Sequence, residues 1–443
     1  MRKRRIVILV IAIMFVFIWL FLFRKSFNEN AVPANADMVA VVDVKNITRS
    51  YIKEFVLHPS RWLKVSISRK KEFSWKKVFK LPDYVCIFHE AGQGMGKWYT
   101  RLKIKNRERF DKAIEKFHFK KYETGNFVLY SSANPGVHFL VFGDEAIAAT
   151  YSCKLPEVLQ TGNDLFIDKK VLNKKNTEKF IQTSHHLIFL FRNGNYFQHP
   201  GTVYADVEGG EITVSGKLFP VVKSNPQIGS ESDNLNNILD LNLAPLPQAY
   251  LKYFPDSLKQ KWSKAIGLPV DSVFLNHKFN WSLHLSGFRE RIDTAVTYNF
   301  DENFNEVPQA TIVTSTVPVI TLSASGEGAE QIYEMINFRN ALEPENGKMR
   351  FTGFPLWPMY ASSRPGEFVL GNAEGKEKQN SLTTSIMNLR ANPSKIPDSL
   401  FRYIPDNLRS WLKNTQTIKL NLIPAGNAVS ITGELIRENG TYF

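Results

Sequence analysis

The sequence predicts an α+β protein: an N-terminal transmembrane helix followed by two related α+β halves with antiparallel sheets. Three observations carry that reading. A long apolar run stands near the N-terminus. Strand-like alternation and helix-period segments interleave through the rest. A glycine-turned hairpin pattern of the first half returns near the C-terminus.

The apolar run is Ile6 to Phe23, eighteen residues without a polar side chain. As a helix it spans about 27 Å, close to the hydrocarbon thickness of a bilayer. Arg2, Lys3, Arg4 and Arg5 precede it, and Arg24 and Lys25 follow. The heavier basic cluster puts the N-terminus in the cytoplasm and the rest of the chain on the far side. Ala34-Asn35-Ala36 matches a signal-peptide cleavage pattern. However, it stands well beyond the run, which is longer than a signal peptide's apolar region. The expected divisions are 1–25, cytoplasmic tip and anchor; 26–37, a short polar tether; 38–220, the first half; 221–234, a linker; and 235–443, the second half.

Met38–Val44 alternates as a strand, and Asn46-Ile47-Thr48 suits the start of a helix reaching Leu57. Ser60–Lys80 mixes aromatic and basic residues and reads as a broken helix. Val85–His89 and Trp98–Ile104 read as strands, and Asn106–Phe117 as a helix with Phe110, Ile114 and Phe117 on one face. Three strands are expected within 126–150, helices near 155–161 and 169–182, and closing strands at 202–208 and 211–218.

The closing hairpin, VYADVEGGEITVSGKL at 203–218, is echoed by LNLIPAGNAVSITGEL at 420–435. At a displacement of 217, Gly209 meets Gly426 and Gly216 meets Gly433, with apolar positions aligned between them. Upstream, Trp98–Phe117 is matched by Val319–Phe338, and Glu145–Ala149 by Glu367–Gly371. Within the second half, Tyr253–Leu258 resembles Tyr403–Leu408, each with a tryptophan soon after, Trp262 and Trp411. Proline followed by aspartate suits a helix start.

The formal charge of +14 is local. Six basic residues lie in 1–25, and residues 53–121 hold nineteen Lys/Arg against seven Asp/Glu. Everything after 121 is slightly acidic, which argues against a nucleic-acid surface. Cys86 and Cys153 are expected as small buried residues, and their number and spacing offer no metal site.

Motifs for chemistry are sparse. Gly92-Gln93-Gly94-Met95-Gly96-Lys97 lacks the Ser/Thr and following helix of a phosphate loop and reads as a hairpin connection. Ser323-Ala324-Ser325-Gly326-Glu327-Gly328 reads as a glycine-rich approach to a helix. His185 and His186, adjacent on an apolar strand, are expected on opposite faces, where they cannot share a metal. HExxH and GxSxG are absent from the sequence. No catalytic, cofactor-binding or metal-binding residue is therefore assigned, and no cofactor is expected.

Pro33 through Val44, PANADMVAVVDV, directly after a membrane anchor, resembles bacterial membrane-anchored envelope proteins of unknown function with a duplicated α+β ectodomain. The resemblance implies an envelope location and brings no active site. The expectation is a non-enzymatic binding or scaffolding protein in the inner membrane, its bulk periplasmic or extracellular. Its expected partners are the membrane through residues 6–23 and an envelope protein; the basic stretch 53–121 reads as a solvated face, with contact to anionic lipid as the competing reading. The alternative is a membrane-tethered enzyme with a site between the two halves.

Overall fold

The computed structural model describes residues 25–27, 31–57, 74–132, 136–172, 183–194, 196–220, 229–230, 237–245, 259–261, 263–264, 279–300, 304–353, 357–372, 382–383, 385–401 and 406–437. The anchor expected at Ile6–Phe23 lies outside them. So do most of Ser60–Lys80 and of the 169–182 helix, the Tyr253–Leu258 motif and all but two residues of the linker. Among the described residues no helix is long and apolar enough to cross a membrane. The fold is mixed α+β with mostly antiparallel sheet, in two compact units that divide between Val221 and Val222.

In the first unit β1 (Ala36–Asp43) runs straight into α1 (Val44–Leu57). Then come β2 (Phe79–Lys80), β3 (Tyr84–Glu90), β4 (Tyr99–Ile104), α2 (Arg107–Lys116) and β5 (Lys120–Thr124). β6 (Phe127–Ser132), β7 (Val137–Phe142), β8 (Glu145–Thr150) and α3 (Leu155–Gly162) follow. β9 (Leu187–Phe191), β10 (Phe197–Glu208) and β11 (Glu211–Pro220) close the unit. The strands pair antiparallel in the order β5-β6-β7-β8-β4-β3-β1-β9-β10-β11, with β2 beside β3 along β4.

The second unit opens with β12 (Gly229–Ser230), β13 (Leu239–Leu243), β14 (Asn280–Phe300), β15 (Glu306–Ser325) and α4 (Gln331–Phe338). It continues through β16 (Leu342–Glu345), β17 (Lys348–Phe351), β18 (Met359–Arg364), β19 (Glu367–Gly371) and β20 (Leu382–Thr383). β21 (Met387–Ala391), α5 (Asp398–Phe401), α6 (Asp406–Lys413), β22 (Thr415–Ala425) and β23 (Ala428–Arg437) complete it. Its antiparallel order is β16-β17-β18-β19-β15-β14-β13-β21-β22-β23. β12 and β20 form a separate pair.

The two orders coincide strand for strand, and so do many registers. Val203 stands opposite Gly216 in the first hairpin and Leu420 opposite Gly433 in the second. Both turns use a left-handed glycine, Gly209 at φ 55° and Gly426 at φ 64°. Gly216 has a packing reason as well: a Cβ there would come within 2.4 Å of the Thr202 carbonyl oxygen. The helix after β4 buries Phe110 and Ile114, and the helix after β15 buries Ile332 and Ile336 at the same spacing. Each helix is followed by a left-handed residue, His118 at φ 53° and Asn340 at φ 54°.

The first unit's main core joins Phe88, Tyr99, Leu129, Leu140, Ile147, Val158 and Ile188. A second cluster, around Phe110, Ala113, Phe139 and Ala146, seats α2 on the sheet. In the second unit Ile332 and Ile336 meet Phe351, Phe368 and Leu370.

Three expectations need correction. α1 begins two residues ahead of Asn46, because Asp43 caps it: Oδ1 accepts the Asn46 N–H at 2.7 Å. The segment read as a tether, 26–37, is built into the first unit. Ala31, Val32 and Ala36 are buried, and Leu172 N–H donates to the Val32 carbonyl at 2.9 Å. The run Ala31–Ala36 is short, small and broken by Pro33 and Asn35, so it shows no strand or helix period. Finally, β5 goes unforeseen because no face of it is buried.

Candidate functional site

Three side chains that are distant in sequence meet beneath α1. Ser50 faces the sheet from the helix, His186 lies in the bend ahead of β9, and Asp206 stands on β10. Ser50 Oγ is 2.7 Å from His186 Nε2, and His186 Nδ1 is 3.2 Å from Asp206 Oδ1. His186 is buried. His185 Nδ1 reaches the other oxygen, Asp206 Oδ2, at 2.6 Å, while its ring stacks on Tyr204. The two histidines thus converge on one carboxylate instead of facing apart, because both sit outside the regular ladder.

The residue types are those of a hydrolytic triad, but the hydrogen-bond directions are not. Val207 N–H donates to His186 Nδ1 at 3.1 Å. A backbone amide is always a donor, so with Nδ1 accepting from it the proton sits on Nε2, and the hydrogen bond from His186 to Asp206 Oδ1 comes from its backbone N–H at 3.1 Å. The Nε2 proton is donated to Ser50 Oγ. A nucleophilic serine needs the reverse, a bare Nε2 to take its proton. Ser50 also lies inside a 14-residue helix, whose amides are spent on the helix and supply no oxyanion donors. The cluster fastens α1 to β9 and β10, helped by Asn46, whose side-chain amide donates to the Ser184 carbonyl.

A second polar network lies at the opposite strand ends. His89, fully buried, has Nδ1 2.6 Å from Asp37 Oδ1 and Nε2 3.1 Å from the Gly94 carbonyl. Gln93 Nε2 donates to Glu90 Oε2 at 2.8 Å, and Tyr99 OH donates to Gln93 Oε1 at 2.8 Å. Burial pushes the Glu90 carboxyl above the usual range, partly offset by Thr161 and reinforced by Asp164. These contacts hold the Gly92–Lys97 loop as a hairpin connection between β3 and β4, where Ile87 pairs with Thr100. In the second unit His284 Nδ1 is 2.7 Å from Asp240 Oδ1, between the corresponding strands β13 and β14. The registers differ: Asp240 stands directly opposite His284, whereas Asp37 occupies a bulge between Ala36 and Met38.

Cys86 and Cys153 are both free and buried, and burial pushes the Cys86 thiol up to about 12. Such a thiol is inert at neutral pH. Among the described residues no group of three His, Cys, Asp or Glu side chains is arranged to hold a metal ion. Ser323–Gly328 leads from β15 towards α4, with Gly326 and Gly328 at positive φ.

Part of the surface charge is paired. In the basic stretch, Lys97 meets Glu157, Arg101 meets Glu145 and Lys103 meets Asp144. Arg107, Lys112 and Lys121 each have their own carboxylate partner within 3.2 Å. An open depression of about 440 Å³ beside β5 and β6 is lined by Lys116, His118, Lys120, Tyr122 and Ser131. One of about 380 Å³ in the second unit is lined by Arg289, Arg291, Glu345, Arg350 and Tyr360. There Arg350 and Tyr360 already share Glu345.

Among the described residues, a row of exposed apolar side chains lies in the second unit. β13 covers β14 only as far as Leu285, and β19 covers β15 only from Thr321. Residues 286–300 and 306–320 therefore continue as a two-stranded ribbon about 50 Å long. On one face Ile292, Val296 and Tyr298 stand across from Thr314, Ala310 and Pro308, with Ile312 opposite Thr294. Ile292 is 71% and Ile312 74% exposed, and Phe304 at the tip is 85% exposed. The other face carries Arg289, Arg291, Asp293, Asn299 and Gln309. In the first unit the corresponding strands β3 and β4 are joined by the short loop Gly92–Lys97. The sequence reading missed the ribbon; its signal was the recurrence of β-branched and aromatic residues among polar ones over 288–300 and 307–320.

No protein-family model matches the chain, and no curated protein matches it. Two solved structures of TP0453, crystal forms III and I, are similar at a TM-score of 0.28 with 10% and 9% identity. They cover 47% of this chain and 91% and 90% of their own. A likeness of that size assigns neither fold nor function.

Proposed function

We propose that this is a non-enzymatic envelope protein, held in the inner membrane by residues 6–23, whose two related halves form a binding or scaffolding module. The halves are read as duplicates of one α+β unit, on the matching strand orders and hairpin registers. The bulk of the chain is assigned to the periplasmic side on the basic residues flanking the apolar run.

One observation carries the binding role. A two-stranded hairpin is marginal in water by itself, yet β14 and β15 extend one into solvent with an apolar face outward. Exposed apolar surface of this extent marks an interaction site, and both ribbon edges offer unpaired backbone for strand addition. The second unit has grown this arm where the first has a short turn, so partner binding is assigned to the second unit, with a protein as the partner.

The test is photo-crosslinking in native membranes of the intact protein carrying a photoreactive residue at Ile312 or, as control, at Lys121. A discrete adduct from Ile312 alone is expected. Equal adducts from both positions, or none from Ile312, would remove the binding role from the ribbon.

A further inference from the structure

The geometry points to α1 as an interfacial helix: it lies against the bilayer surface and sets the first unit's orientation on the membrane. This rests on reading residues 6–23 as the anchor, and adds which face of the unit meets lipid.

The chain is fastened to the first unit immediately after the apolar run. The Lys25 ammonium pairs with Asp43 Oδ2 and lies over the Tyr84 ring. Ser26 N–H donates to Asp83 Oδ2 at 2.7 Å, and the Phe27 ring meets Tyr84 edge-on at 5.9 Å. Asp43 ends β1 and Tyr84 begins β3, opposite one another in the ladder. An anchor ending at Phe23 therefore leaves one strand-end of this sheet beside the membrane, with no slack for the unit to turn away.

α1 lies across that same end. From its cap at Asp43 it passes Ser184 at Asn46 and His186 at Ser50. By Glu54 it is near the Gly209 turn of β10 and β11, with Glu54 Oε1 3.8 Å from the position of a Gly209 Cβ. Asn46, Ser50 and Glu54 recur every fourth residue, so one stripe of the helix faces the strand ends. Ile52, Phe55 and Val56 fall on the opposite side, with Phe55 52% and Val56 68% exposed. Leu57 is exposed at the helix end.

The charge fits an anionic surface. α1 carries Lys45, Arg49 and Lys53 against Glu54. The ladder brings Lys80 and Lys103 level with Tyr84, with Lys105 just beyond. Three of the bases at this end are matched by acids, Lys25 by Asp43, Lys45 by Asp83 and Lys103 by Asp144, so the positive excess comes from the further bases, Lys53, Lys80 and Lys105 among them. Glu208 and Glu211 stand at the hairpin turn beside the C-terminal end of α1 and offset part of that excess. An apolar stripe flanked by bases is how an interfacial helix sits, its apolar side about 5–10 Å into the headgroup and acyl boundary.

The experiment uses the full chain in vesicles containing anionic lipid. A fluorophore is placed on a single introduced cysteine, F55C or, at the opposite strand ends, M95C. Both sites are exposed, so neither change disturbs the core, and the native cysteines are buried. Lipid-borne quenchers at shallow acyl positions should quench position 55 strongly and leave position 95 unchanged. Equal quenching at both positions, or none at 55 in protein that survives an alkaline wash, overturns the docking of α1 and leaves the anchor standing. Release of the protein by that wash overturns the anchor, and the inference with it.

Discussion

Ser50 receives its hydrogen bond from His186, and that direction decides what the residue can do. A serine that accepts from His186 Nε2, with Val207 N–H closing the other ring nitrogen, is a fastening point for α1. Ser50→Ala should cost the first unit about 1 kcal/mol, the usual worth of one such bond, measured by denaturant unfolding. A fluorophosphonate probe should label the wild type no more than the variant; Ser50-dependent labelling would restore a nucleophile. Glu90 makes a pH-dependent prediction. Burial raises its carboxyl in the fold above the ordinary glutamate value of 4.5, so the folded state favours the protonated form. The stability it contributes is whole below that value and is lost as pH rises through the folded pKa. Glu90→Gln keeps an acceptor for Gln93 and removes the titration. The variant should match the wild type near pH 4 and exceed it at pH 8; a constant gap across that range would show that Glu90 does not titrate differently on folding.

At the scale of elements, strands covered on both edges should outlast strands covered on one. Along β14, residues 281–285 lie between β13 and β15, while residues beyond 286 have β15 alone. Hydrogen exchange should therefore be faster for ribbon amides such as those of Thr294 and Ala310 than for Leu283 and Leu322, in the same molecule. Uniform protection along β14 would mean that the ribbon is covered in solution. The same distinction explains what could be read beforehand. The hairpins at 203–218 and 420–435 were legible because alternation and a turn glycine are local signals. α2 was legible from Phe110 and Ile114, its buried stripe. The ribbon was not, since periodicity reports that a segment is extended but not whether a third strand covers it. The cluster under α1 was illegible for another reason: Ser50 and His186 are 136 residues apart. Their meeting depends on α1 crossing the strand ends, which no local spacing encodes.

For the whole molecule, the question is whether the segment before β1 is a dispensable leader or part of the fold. Cleavage at Ala36 would leave Asp37 as the first residue. It would remove Ala31 and Val32 from the main core and break the bridge between Pro33 and Val171. Arg192, whose guanidinium donates to the Ala34 and Ala36 carbonyls at 2.9 and 2.8 Å, would lose both or be left with a new chain end. Burial of Val32 alone is worth about 2 kcal/mol, and Lys25 and Ser26 would no longer hold Asp43 and Asp83. That these residues complete the unit's core supports the proposal that the N-terminal segment is retained. Mass spectrometry of the mature protein should therefore find peptides spanning residues 25–36 joined to β1, in material that stays with the membrane after an alkaline wash. A mature N-terminus at Asp37 would overturn the anchor. A chain cut there by an engineered protease site should then show a lowered unfolding midpoint for the first unit, because the buried residues it loses have no substitute elsewhere in that sheet.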